Sequence, residues 1–174
     1  MRWQSRAQIA TVFMVLGGAV TAAATRGPGM GDAEAIATII AIDSVEIIHA
    51  DLAMTKKLRD PVLAFVQDIR GDHADDADDI ADIGRDLNVA PFHSPAIRAI
   101  ETECDDLVRT LDEVDGREFE QGYLTAAIRS HTNALATLDR LARLDLSDDV
   151  EDHLKDLREQ VQKHLAKAKT FRND

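Results

Sequence analysis

From Asp32 to Phe171 apolar residues recur every three or four positions, and no stretch alternates polar and apolar long enough to make a strand. A chain patterned this way buries its apolar side chains as helices packed face to face. Turn residues divide the pattern. Asp32 is expected to cap a first helix running to about Leu58. At Asp60-Pro61 an Asp cap precedes a Pro at the first helical position, where its missing N–H costs nothing. The second helix should run to about Leu87, and Asn88–Pro95 is a proline-containing loop. Ser94-Pro95 opens a shorter helix to about Val114, and Asp115-Gly116 ends it. A long helix follows from Arg117 to about Leu144. Ser147 then caps the last one, with Asp148, Asp149 and Glu151 in its first turn and Lys163, Lys167, Lys169 and Arg172 toward its end, matching the helix dipole. The expected fold is all-α: a four-helix bundle with a short crossover helix between the second and third long helices.

The N-terminus reads differently. Arg2 and Arg6 precede an uncharged run, Ile9 to Val20, and Ala22-Ala23-Ala24 offers small residues for cleavage. Residues 1–24 are expected to be a secretory signal peptide, residues 25–31 a Gly/Pro-rich linker, and residues 32–174 the bundle. An uncleaved anchor is the alternative, weakened by Gly17, Gly18 and the alanines. No cysteine follows the apolar run to carry a lipid. The expected location is periplasmic or otherwise exported, with no membrane span in the mature form. The net charge of −12, more negative without the two leader arginines, argues against nucleic acid and anionic membrane surfaces. The single cysteine, Cys104, excludes an internal disulfide and reads as a small half-buried helix residue.

Three histidines interrupt the apolar stripes. His73 follows Ile69 by four in the stripe of Val62, Phe65, Val66, Ile69, Ile80, Ile83 and Leu87. His131 lies between Ala127 and Leu135 in the stripe of Phe119, Tyr123, Ala127, Leu135, Leu138 and Ala142. His164 lies between Val161 and Ala168 on the last helix. A lone histidine on an apolar face is usually a hydrogen-bonded core residue, but a bundle interior offers few partners for three. Each falls near the middle of its helix, as does Glu46 on the first. At about 1.5 Å per residue these positions share one level to within roughly 6 Å. A buried carboxylate needs a cation or a strong donor. Three imidazoles and one carboxylate at one level suit zinc, copper or iron. The competing reading is a buried polar network, Glu46 paired with a protonated histidine and Tyr123 adding a hydroxyl.

Other features carry less. Glu46-Ile47-Ile48-His49 matches a Glu-x-x-His element of di-iron bundles, but no second copy occurs, and His49 is expected near solvent. The run Asp72, Asp75, Asp76, Asp78, Asp79, Asp82 and Asp86 lacks the glycine and terminal Glu of a calcium loop and reads as a solvated helix face. His93 and His153 have no evident partners. No nucleophile triad, phosphate-binding glycine loop or Cys/His zinc pattern is present.

The chain resembles a family of exported bacterial proteins of unknown function, often labelled "predicted outer membrane protein". The resemblance rests on Val45-Glu46-Ile47, Asp60 through Phe65, Gly71-Asp72-His73, Arg117 through Leu124 with His131 after it, and His164 followed by Ala166-Lys167-Ala168. It spans about residues 33–171 and departs at His49 and at the Asn88–Pro95 loop. It implies a ferritin-like four-helix bundle in the envelope, with recurring polar positions at Glu46, His73, Tyr123, His131 and His164, and no established activity. Nothing in the sequence reads as barrel strands. The expected function is a periplasmic metal-binding bundle with Glu46, His73, His131 and His164 as ligands and Tyr123 behind them, in metal storage or stress protection. The alternative is a non-enzymatic envelope protein whose cluster only fixes helix register. Last comes an enzyme using the cluster as a general base. The expected partner is a metal ion.

Overall fold

The computed structural model describes residues 30–90 and 92–173. The expected signal peptide of residues 1–24, and the linker before Met30, lie outside them. Five helices make up the described chain, with no strand: α1 (Met30–Met54), α2 (Asp60–Asp86), α3 (Pro95–Asp112), α4 (Gly116–Leu141) and α5 (Asp148–Asn173).

The helix ends differ from expectation in physically informative ways. Met30 and Gly31 are already helical, so Asp32 is an interior residue of α1. Its carboxylate accepts from the backbone N–H (2.8 Å) and hydroxyl (3.2 Å) of Ser147, tying the start of α1 to the start of α5. α1 ends at Met54, where Thr55 and Lys56 turn back onto Leu52 and Ala53. Arg59, not Asp60, holds the extended position before α2. Its backbone N–H and guanidinium both donate to the buried carboxylate of Glu120, at 2.8 and 2.6 Å. Asn88 takes a positive φ of 52°, and Val89 N–H reaches back to Gly84 O at 2.9 Å, closing α2 with a Schellman-type cap. Ser94 caps α3 as its sequence predicts, its Oγ accepting from Ile97 N–H at 3.2 Å. In the C-terminal half of α4 the inward residues are His131, Ala134, Leu138 and Leu141. Ala142, expected on the stripe, is the exposed residue ending the helix, and Leu135 is only partly buried.

Helices α1 and α2, α2 and α5, α5 and α4, and α4 and α1 are packed neighbours, so these four close a ring, with α3 leaning on α1 and α4. The apolar interior divides into two clusters. One is built around Phe65, Ile69, Phe119, Tyr123 and Leu124. The other is built around Ile39, Ile80, Leu138, Leu154 and Leu157. Burying each such side chain stabilises by roughly 1.5–3 kcal/mol. α1 and α5 pass from the second cluster to the first, whereas α2 and α4 pass from the first to the second. Successive long helices therefore run up, down, down, up. Because α2 and α4 run the same way, the chain must cross the length of the molecule between them, and α3 makes that crossing. Between the clusters each of the four helices carries buried polar residues: Asp43, Glu46 and His49 on α1, His73 and Asp76 on α2, His131 on α4, and His164 on α5.

Candidate metal centre

The polar layer is where the three mid-helix histidines meet. His73 is fully buried, His131 is 1% exposed and His164 5%. Their ring centroids lie 5.7, 5.4 and 5.4 Å apart, a nearly equilateral triangle. One ligand-capable nitrogen from each ring lies within 4.8 Å of the other two. Helix register supplies the inward direction, and the packing of α2, α4 and α5 brings the three to one level. Residues 69 and 73, 127 and 131, and 161 and 164 share their helix faces, and the apolar members of those pairs fix which way the rings point.

Each ring is held from behind. His73 Nδ1 is 2.8 Å from Asp43 Oδ1. His131 Nδ1 is 2.9 Å from Ala127 O. His164 Nε2 is 2.9 Å from Asp72 Oδ2. A backbone carbonyl can only accept, so His131 Nδ1 carries the hydrogen and Nε2 presents a lone pair. The opposite nitrogens, His73 Nε2, His131 Nε2 and His164 Nδ1, have no hydrogen-bond partner among the described residues. One anchored nitrogen and one unpartnered nitrogen per ring, three times over, is the arrangement that orients metal-binding imidazoles. Three nitrogens at about 2.1 Å from an ion sit roughly 3.4 Å apart. The nitrogens need to close by up to about 1.4 Å, within the reach of small side-chain rotations.

Electrostatics separate the rings. Burial keeps His164 neutral, its pKa pushed down to about 4. Burial likewise lowers His131, against the pull of Glu46. His73 goes the other way: burial opposes protonation, but the Asp43 bond and the Glu46, Asp43 and Asp76 carboxylates outweigh it. Asp43 itself is pushed up to about 7 by burial, with the His73 bond pulling it down and Asp76 adding to the rise. His153, on α5, is 3.2 Å from Asp76, so the layer continues from His73 through Asp43 and Asp76 toward the surface.

The structure brings His73, His131 and His164 together and places Glu46 behind them. Its Oε1 lies 3.6 Å from His131 Nδ1, the nitrogen already facing Ala127, so Glu46 is not in the group of three. Burial would raise the Glu46 pKa, but His131, His73 and His49 around it hold it below the usual range. Tyr123 is buried in the first cluster, stacked on Phe119, and burial together with the Glu46 charge raises its hydroxyl pKa. Tyr123 is likewise outside the group.

The chain matches, over residues 18–171, the family described as "Domain of unknown function (DUF4142)". It belongs to the DUF4142 family. A search of curated proteins finds no match. Among solved structures the DUF4142 chain is similar to a "DUF305 fragment from Deinococcus radiodurans", with a TM-score of 0.75 at 12% identity over 85% of this chain and 99% of that one. At that identity the likeness concerns the fold alone.

Several residues of this DUF4142 chain depart from the sequence reading. His49 is 5% exposed, not at the solvent boundary, with Nε2 unpartnered among the described residues. The acidic run of α2 is not uniformly solvated: Asp76 is buried on His153, and Asp72 anchors His164. His153 thus has a partner. The apolar stripes do not single out Asp43, although it sits four after Ile39 and three before Glu46, on the same inward ladder. Cys104 is buried deeper than expected, at 3%, and burial pushes its thiol up to about 11.

Proposed function

We propose that this DUF4142 protein is an exported, ferritin-like four-helix bundle that holds one transition-metal ion through His73, His131 and His164. The supporting observation is the three converging imidazole nitrogens without partners, each on a ring whose other nitrogen is anchored. The up-down-down-up order with α3 as the crossover supports the ferritin-like reading. The leader-like residues 1–24, read from sequence, support export. A three-imidazole set leaves a fourth position open and suits zinc, copper or iron. Glu46, ionised behind His131, balances the charge of the ion without binding it, and Tyr123 closes the layer from below. One buried centre per chain fits protective sequestration of an ion under stress better than bulk storage.

Elemental analysis of the purified protein against His131→Ala tests this. About one equivalent of metal in the wild type, lost in the variant, is the expected result. No metal in the wild type, with a stability loss of a few kcal/mol in the variant, would replace the proposal with the alternative, a non-enzymatic protein whose His/Glu cluster is structural only.

A further inference from the structure

This inference rests on the proposed metal site and concerns how the ion reaches it. The three anchors behind the imidazoles differ in one respect. Asp43 is fully buried, and Ala127 contributes a backbone carbonyl inside α4. Asp72 alone has an exposed side chain, 51% open, while the His164 side chain it binds is 6% exposed. Both line a groove of about 510 Å³ between α2 and α5 that opens to solvent. Asp156 and Glu159 stand on its α5 wall. Two lysines also line it: Lys163, next to His164 in sequence, and Lys167, which is occupied by Asp68 at 2.7 Å and lies over the Phe65 ring. His164 lines the groove yet keeps its Nδ1 unpartnered among the described residues.

The other approach is narrower. A cavity of about 70 Å³ beside Glu46 and His49 lies between α1, α3 and α4. It leads to the Glu46 side of His131, where Nδ1 already faces Ala127. The Arg129–Glu103 ion pair, at 3.0 Å, lies across the lining of that cavity and leaves its carboxylate occupied.

We propose that the groove between α2 and α5 is the route by which a cation exchanges with the centre, with Asp72 as its landing ligand and the Asp72–His164 hydrogen bond as the door. The Asp72 carboxylate is the one anchor a hydrated ion can meet from solvent. Taking up that ion releases the His164 ring from its anchor, and the ring passes the ion inward to His131 and His73. A group that serves the crossing in both directions changes both rates together and leaves the affinity in place. A group that merely orients a ligand changes affinity through release.

The test measures zinc binding by stopped flow, and zinc release to excess chelator, in the wild type, Asp72→Asn and the control Asp86→Asn. The asparagine keeps an oxygen acceptor for His164 and removes the landing charge. The expected result for Asp72→Asn is uptake and release both slowed about tenfold or more, with one equivalent still bound and little change in Kd. Asp86→Asn, an exposed neutralisation at the far end of α2, should match the wild type. Unchanged uptake with faster release would make Asp72 an orienting group and overturn the route. Equal slowing by Asp86→Asn would overturn it in favour of overall charge. A wild type that takes up no zinc, copper or iron would remove the metal site itself, and the route with it.

Discussion

Replacing His131 with leucine separates a metal ligand from a structural polar group, because the two roles predict different costs for the metal-free protein. Without an ion, His131 Nε2 is a buried nitrogen with no partner among the described residues. Such a group costs about 1–3 kcal/mol. Leucine of similar size removes that cost. It forfeits the hydrogen bond from Nδ1 to Ala127 O, a neutral bond whose net contribution is about 1 kcal/mol. Ala127 O keeps the Ser130 hydroxyl, 3.2 Å away, and Glu46 keeps His73 and His49 around it. The gains and losses nearly cancel, so metal-free His131→Leu should unfold within about 1 kcal/mol of the wild type. With ion at a hundred times its Kd, the wild type gains about 2.7 kcal/mol. For a domain of this length that is a rise in Tm of about 5–10 °C. The variant, with two imidazoles left, should gain almost none. Urea and thermal unfolding, each with chelator and with zinc, give all four numbers. A metal-free loss of about 3 kcal/mol or more, the cost of breaking a buried pair, together with a wild-type Tm indifferent to metal, would refute the reasoning.

The raised His73 pKa means the proton on that ring must leave as an ion binds. Apparent zinc affinity should therefore rise with pH above the ordinary histidine value of 6.5 and fall below it, while His164, neutral down to about pH 4, adds no competition in that range; titrations at several pH values check this. The same shift gives the metal-free protein a contribution that is complete below pH 6.5 and is lost as pH rises through the higher folded-state value, readable as a falling urea midpoint. Glu120→Ala removes the acceptor of both Arg59 bonds and should cost about 1.5–3 kcal/mol in urea unfolding, with the metal response retained. Ser94→Ala deletes the α3 cap and should cost about 1 kcal/mol, again without effect on metal.

The helices were legible because each carries its own apolar period and its own breakers. The errors fall at the ends, where partners far along the chain decide: Asp32 is drawn inside α1 by Ser147, and Arg59 is held by Glu120. The centre was half legible. Mid-helix histidines on apolar stripes indicate their own direction, and Asp43 was readable on the same ladder. Asp72 and Asp76 were not, because a carboxylate on an exposed face gives no sign of which helix will lie beside it. For Glu46 the stripe gives the inward direction, but which edge of the His131 ring it meets depends on side-chain rotation.

What the sequence could not supply is the cost of the layer, and that cost bears on function. Three buried nitrogens without partners, at about 1–3 kcal/mol each, together approach the entire stability of a domain, about 5–15 kcal/mol. Aliphatic side chains throughout the layer would join the two clusters into one core. A layer that divides the core at such expense is accounted for if something binds there and restores the missing interactions. The chemistry facing inward, three neutral or neutralisable imidazoles with an ionised carboxylate behind one of them, favours a cation.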